Sequence, residues 1–358
     1  MKRLIVLALI AGCPEPAKKG PAPLADLVLT GDRDTRSDLV AELQDDILKS
    51  YERDEPPDFD NAMVPKDVGV ARIGVGPGDV LVNNELARAP SRWPLDIDQA
   101  SPADARSKRL AIHLSADRTA AWATDEISWR IKMCERTAVI PLRMTALFAR
   151  DGDRWVPVFE HLSFARTAIA TRPGQKLPRE LRTAVASRDL ADELSRVLSP
   201  VLRRALDKSP KALAQGPELA LLGPDVAAEW HGLDAIGARL MPGSEPMKLE
   251  DRRVGVVGRT FGNATIGYWV GNLTADLPAR PGISAGKGHF RATFVFERRR
   301  GNDPKDNEWV IVQGHVSHAI EDDNLASAIF GTALISPKPL AITCDDGSRP
   351  QMPKKASN

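Results

Sequence analysis

The chain says the same thing twice, and that doubling limits its folds more than any other feature. Trp155-Val156-Pro157-Val158-Phe159-Glu160-His161-Leu162-Ser163 returns as Trp309-Val310-Ile311-Val312-Gln313-Gly314-His315-Val316-Ser317, an offset of 309 − 155 = 154. Gly76-Pro77 returns as Gly223-Pro224 and Trp122 as Trp269, both offset by 147, and Arg143-x-Thr145 returns as Arg291-x-Thr293, offset by 148. The drift from 148 to 154 coincides with a longer polar loop in the second copy, Arg298 to Glu308. One hairpin insertion accounts for it, so the sequence reads as two diverged copies of one domain. Its 358 residues suffice for two cores, since domains of about 100–200 residues are usual.

Composition narrows the function classes. Lys+Arg 49 against Asp+Glu 48 leaves a formal charge of +1. Balanced charge without a long basic run argues against a nucleic-acid partner. Nine Phe and two Tyr also leave few rings for stacking bases. No Cys or His pair stands at metal-ligand spacing, so neither a structural metal nor a cofactor is expected.

The N-terminus reads as an address. Met1-Lys2-Arg3 is basic, Leu4 to Ala11 is apolar, and Ile10-Ala11-Gly12-Cys13 closes the run with small residues. Too short to span a bilayer core, the run suits a signal-peptide segment. Its closing tetrapeptide resembles the lipobox of bacterial lipoproteins, which implies cleavage after residue 12 and lipidation of Cys13. Residues 13–23, rich in Pro and Lys, are then expected to be an extended tether. In such lipoproteins an Asp after the lipidated Cys signals inner-membrane retention. Pro14 stands there instead, which implies the outer membrane, facing the periplasm or the surface. Cys134 and Cys344 are open to two readings, a disulfide or two separate thiols. Residues 337–358 are read as a loosely attached tail.

Each copy opens with a helical pattern and continues as strands. Leu39, Leu43, Ile47 and Tyr51 recur every fourth residue, and Leu190, Leu194, Leu198 and Leu202 do the same. Pro200 is expected to kink or divide the second helix. Both helices are expected to end near a Pro-Lys pair, Pro65-Lys66 or Pro210-Lys211. Asp151-Gly152 between two apolar runs is a hairpin signal. Helices followed by hairpin-linked strands give α+β with antiparallel sheets.

That order of helix, Gly-Pro turn, Trp strand, Arg-x-Thr strand and terminal His-x-Ser strand resembles the SnoaL-like branch of the nuclear-transport-factor-2-like superfamily. The resemblance implies two tandem cones, residues 24–170 and 177–336, each with N-terminal helices against a curved sheet enclosing a pocket. Superfamily enzymes such as ketosteroid isomerases and polyketide cyclases place a carboxylate base in the cone. Here Asp67 has Ala212 at its counterpart position, and the two Tyr are Tyr51 and Tyr268, so the isomerase set is not reproduced.

The candidate pocket or sheet residues are Trp122, Arg143, His161, Ser163, Trp269, Arg291, His315 and Ser317. Strict alternation puts Trp155, Pro157, Phe159, His161 and Ser163 on one face and Val156, Val158, Glu160 and Leu162 on the other. A His two residues before a Ser can relay protons, or can fix strands by hydrogen bonds to backbone. Arg143 and Arg291 can hold an anion or pair with an acid. Trp122 and Trp269 can line a ligand pocket or fill a core. The Arg298-Arg299-Arg300 run is expected at a solvated hairpin tip.

Three functions fit. The first is a lipid-anchored envelope protein, without catalysis, binding a small apolar ligand. Its valine faces (Val156, Val158, Leu162 and Val310, Val312, Val316) would pair as an internal pseudo-dimer in a monomeric chain. The second is an isomerase, cyclase or hydratase with His161 or His315 as base. The third is a scaffold displaying one cone to another envelope protein.

Overall fold

The computed structural model describes residues 33–52, 71–76, 79–82, 104–133, 136–165, 188–203, 211–224, 228–235, 240, 247–260, 263–279, 284–299 and 308–320. The signal segment, tether and tail lie outside these residues. So do Cys13, Cys134, Cys344, Asp67 and the Pro65-Lys66 pair.

In the first half, α1 (Arg33–Glu52) precedes β1 (Ala71–Ile73), β2 (Val80–Val82), β3 (Asp104–Ser107), β4 (Ala111–Leu114), β5 (Ala120–Met133), β6 (Arg136–Asp151) and β7 (Arg154–Phe164). Their sheet order is β2-β1-β7-β6-β5-β3, with β4 also on β5. In the second half, α2 (Arg188–Leu202) precedes β8 (Ala220–Leu222), β9 (Glu229–His231), a 3-10 turn (Gly232–Ala235), β10 (Lys248–Thr260), β11 (Asn263–Leu277), β12 (Gly286–Arg299) and β13 (Glu308–Ser317). These order as β10-β11-β12-β13-β8-β9. The two sheets follow the same path.

The helices form where the four-residue spacing predicts them. Leu43, Ile47 and Tyr51 of α1 are buried, as are Leu194, Leu198 and Leu202 of α2. Pro200 sits inside the last turn of α2 and does not divide it, because only a short stretch of helix remains to be broken. Helix α1 is described as far as Glu52, and its relation to the Pro65-Lys66 pair lies outside the described residues. At Asp151-Gly152 the chain turns β6 into β7, and Gly152 takes φ 64°, which glycine adopts without steric cost.

The sheets are mixed, which corrects the antiparallel expectation. Strand β1 runs parallel to β7, and β8 parallel to β13. After its helix, each half enters the sheet beside its own last strand, a pairing no local hairpin signal reveals. The registers match as well: Ile73 opposes His161 and Leu222 opposes His315. Gly74 therefore corresponds to Gly223, two residues earlier than the Gly76-Pro77 match implies.

A second correction concerns alternation. The register of β6 on β7 shifts between Leu147–Phe159 and Phe148–Pro157, leaving Val158 as an extra residue. A bulge of this kind flips the parity of everything beyond it. Trp155 therefore packs in the first-half core with Leu162 and Phe164, whereas Val158 and Phe159 join a cluster shared with the second half. Strand β13 carries the same irregularity at Val312. That shared cluster joins Ile73, Trp122 and Leu147 to Leu221, Phe294 and Ile311, so apolar packing runs continuously from one half into the other.

Candidate functional site

Across the junction of the two sheets, the duplicated residues bind each other rather than a pocket. His161 Nε2 is hydrogen-bonded to Ser317 Oγ (2.8 Å) and its Nδ1 to Thr293 Oγ1 (3.2 Å). His315 Nε2 is hydrogen-bonded to Ser163 Oγ (2.8 Å) and its Nδ1 to Thr145 Oγ1 (3.1 Å). The two rings stack with centroids 3.8 Å apart and planes 18° apart. Each half lends its His to the hydroxyl pair of the other, about a local pseudo-twofold axis between the rings. Both rings are fully buried. Burial pushes His161 well below the ordinary imidazole range, reinforced by the His315 and Arg291 charges. His315 is pushed down to about 3, by burial and then by Arg143. Both rings are thus neutral near pH 7, each able to donate from one nitrogen and accept at the other.

The two arginines complete the arrangement. Arg143 Nη1 donates to Gly223 O (3.2 Å), and Arg291 Nη1 donates to Gly74 O (3.3 Å) and Gly76 O (2.6 Å). Each therefore clamps the turn after the other half's parallel strand. Arg143 also pairs with Glu229 (3.2 Å), which Arg109 and His231 contact as well. The His231 hydrogen bond, then the Arg143 and Arg109 charges, lower Glu229 to about 2 against its partial burial. His161, Ser163, His315 and Ser317 thus bond to side chains of the other half, not to the backbone that the strand-fixing reading expected. Arg143 pairs with an acid, Glu229, and Arg291 with backbone carbonyls.

These contacts qualify the expected valine-faced pairing: Val158, Val310, Val312 and Val316 lie in the cluster shared by both halves, and Leu162 does not. The sheets also meet through the His, Ser, Thr and Arg face. Leu162, on the opposite face, packs with Leu43 and Ile47 of α1, so that side is already covered by its own helix. The Trp pair is also not equivalent. Trp122 opposes Leu147, whereas Trp269 opposes Phe294, the counterpart of Ala146 when Thr145 is matched to Thr293. Trp122 therefore faces the junction, donating Nε1 to Glu218 O (3.4 Å). Trp269 faces its own half and meets Phe294 edge-on at 6.0 Å. Of the arginine run, Arg298 and Arg299 are paired rather than free in solvent, and Arg300 lies outside the described residues. Arg299 pairs with Glu218 (2.8 Å) and Glu297 (2.5 Å), and Arg298 lies over the Trp309 ring at 5.7 Å.

Two further polar sites stand apart from the brace. Inside the first half, Asp125 accepts from Tyr51 Oη (3.0 Å), Ser107 Oγ (3.1 Å) and the Arg109 amide (3.1 Å). Its burial raises its pKa, opposed by those hydrogen bonds. At the edge of the junction lies a cleft of about 540 Å³, walled by α1 and β4 on one side and the second half on the other. His113, Trp122, Glu218, Glu297 and Arg299 supply its polar and aromatic lining. His113 stacks on Trp122 at 6.0 Å, and burial lowers its pKa. No group of His, Cys, Asp and Glu suited to a metal ion occurs among the described residues.

The SnoaL-like domain family matches residues 40–167 of this sequence. Those residues form a SnoaL-like domain. No curated protein matches the sequence. Among solved structures, a candidate dehydratase of the NTF2-like family from Streptomyces avermitilis is similar at 14% identity. It covers 37% of this chain and 98% of its own, with TM-score 0.27. The association domain of C. elegans CaMKII is similar at 14% identity, covering 36% and 93%, with TM-score 0.26. An NTF2-like protein involved in plasmid conjugation covers 67% of this chain and 82% of its own, at 9% identity and TM-score 0.20.

Within the SnoaL-like domain, sequence reasoning passed over Asp125, although the acidic pair Asp125-Glu126 between the apolar runs of β5 was a usable signal. A buried carboxylate there needs partners, and Tyr51, one helical turn beyond Ile47, is placed to be one. The cleft had no comparable signal, because its walls come from opposite halves of the chain.

Proposed function

We propose that this chain is a lipid-anchored envelope protein with two SnoaL-like halves joined as an internal pseudo-dimer, binding a small ligand rather than catalysing a reaction. One observation carries the reading. The reciprocal lattice of His161, Ser317, His315 and Ser163 consumes the duplicated acid–base candidates in holding the halves together. Neutral, fully buried rings with both nitrogens engaged have no proton to exchange with a substrate. The second half would be a diverged SnoaL-like cone, supported by its matching strand path and registers. Pairing inside one chain leaves no cause for pairing between chains, so the protein would act as a monomer. Its anchor would be Cys13, after removal of residues 1–12, with the tether holding it off the outer membrane.

The test is light scattering of the chain from Leu24 onward, which is expected to be monomeric at all concentrations. A stable homodimer would defeat the pseudo-dimer reading. Cys13→Ser is expected to move the full-length protein from the membrane fraction to the soluble fraction. The catalytic alternative, an isomerase, cyclase or hydratase, keeps one specific support. Asp125 is a buried carboxylate of raised pKa with a phenol donor inside the SnoaL-like domain. That reading requires a turnover that Asp125→Asn abolishes while the fold survives.

A further inference from the structure

The halves repeat, but the junction does not. Matching Thr145 to Thr293 makes Trp122 the counterpart of Tyr268, and makes His113 the counterpart of Gly255, the residue opposite Tyr268 in β10. The same match makes Glu297 the counterpart of Ala149, and Arg299 the counterpart of Asp151. On the second-half side, the Tyr268 ring lies across Gly255 so closely that a Cβ there would stand 2.4 Å from the phenol oxygen. On the first-half side, His113 stacks on Trp122 beside the open cleft of about 540 Å³, a volume usual for small-molecule sites. The cleft thus opens on one side of the pseudo-axis.

Its charges balance. Two guanidinium groups, Arg36 and Arg299, line the cleft together with two carboxylates, Glu218 and Glu297. Arg299 lies between the acids, its Nη2 pairing with Glu218 (2.8 Å) and Glu297 (2.5 Å). These pairings leave hydrogen-bonding groups unused among the described residues. Arg299 Nε has no partner, Arg36 bonds through Nη2 alone, to Leu114 O (3.3 Å), and Glu218 through Oε1 alone. Burial lowers the pKa of His113, so near pH 7 its ring is neutral, with one N–H to donate and one nitrogen to accept. Asp117 does not line the cleft, and its oxygens are taken by Ser115, Thr119 and Thr265. Val40, Ile112 and Leu114 add an apolar surface. A ligand with net charge of either sign would leave one charge uncompensated here. A zwitterion would have to set its ammonium beside Arg299, which already holds both acids. Hydroxyl groups, which donate and accept at once, fit this mixture of spare donors and acceptors without disturbing the balance.

We infer that this cleft binds a neutral, hydroxyl-bearing ring of the monosaccharide class, its C–H face on Val40, Ile112 and Leu114 and its hydroxyls at His113, Arg36 and the Glu218–Arg299 pair. This deepens the binding-protein reading by naming the ligand class, and it rests on that reading. The probes are methyl β-glucopyranoside and methyl β-galactopyranoside as neutral rings, glucosamine as the cation and glucuronate as the anion. Cyclohexanol serves as a ring without the hydroxyl array, and phenylalanine as a zwitterion. Each is titrated by ligand-observed NMR, through the millimolar range, against the full chain in a sugar-free detergent. At least one glycoside is expected to bind about tenfold or more tightly than any of the other four, because each of those leaves a charge or several polar groups unmatched. Two variants at partly exposed positions shift the balance in opposite senses. Arg36→Gln is expected to put glucosamine ahead of glucuronate, and Glu218→Gln to put glucuronate ahead of glucosamine, with circular dichroism unchanged in both. Tighter binding of a charged probe, cyclohexanol or phenylalanine by the unmodified chain would overturn the inference. So would no binding of any probe, or one ranking shared by all three proteins. A folded monomer that ignores both glycosides would sink this site alone. A homodimer that still prefers a glycoside would sink the pseudo-dimer alone.

Discussion

His161 and His315 show how much a side chain's role depends on what faces it. In sequence they look like bases; at the junction each is a neutral cross-link with two hydroxyl partners. Removing one ring leaves a cavity and two hydroxyls without their partner, so His161→Ala is expected to cost about 2–4 kcal/mol in urea unfolding. His315→Ala should cost a similar amount. The double variant should fall short of the sum, because the stacked rings share one environment. The pH dependence has a definite sign. With folded pKa values depressed below the ordinary 6.5, the unfolded chain binds more protons than the native one. Their contribution is present above pH 6.5 and is lost as pH falls towards about 3, by up to about 1.4 kcal/mol per pH unit for each ring. Asp125 and Glu297, with raised pKa values, work in the opposite direction. The histidine share is therefore the difference in slope between wild type and His161→Gln between about pH 6.5 and 5, and an unchanged slope would refute it.

At the scale of elements, one extra residue decides which side chains meet. The bulge at Val158 sends Trp155 into the first-half core while Phe159 and His161 face the junction. A repeated phrase in the sequence does not reveal that shift, since alternation looks unbroken on paper. The Trp122 and Trp269 match fails for a related reason. The strands align through Thr145 and Thr293, and counting across the intervening hairpin puts Trp269 one residue out of phase. Parity is lost with a single residue, and the aromatic points the other way. Strand β10 offers a direct check. Gly255→Ala would force the Tyr268 ring off its strand, and is expected to destabilise by about 1–3 kcal/mol in chemical denaturation. Its first-half counterpart, His113, lies beside a cleft. His113→Ala should therefore cost less, and the comparison of the two variants measures how far the sides have diverged.

For the whole molecule, the shared apolar cluster predicts cooperativity. Trp122, Phe159 and Ile73 pack in one cluster with Phe294, Ile311 and Leu221, so neither half keeps its burial when the other unfolds. Urea unfolding of the chain from Leu24 onward is expected to give one transition, coincident by circular dichroism and tryptophan fluorescence. Two separated transitions would show that the halves are independent domains connected by a few polar contacts. Arg291→Met, which removes the clamp on Gly74 and Gly76, should lower that midpoint without changing the slope, as measured in the same titration.

The sequence by itself carried the repeated motifs, the two amphipathic helices, the Asp151-Gly152 hairpin and the match of residues 40–167 to the SnoaL-like domain family. Each of these is written in local order: a period, a turn dipeptide, a succession of short motifs. Only the tertiary structure decided that β1 and β8 run parallel to the last strands, that the His faces meet each other, and that Tyr51 reaches Asp125. It alone also decided that a charged cleft opens on one side. Those outcomes depend on side-chain parity after a bulge and on contacts between residues far apart in the chain, and neither leaves a periodic trace for a linear reading to find.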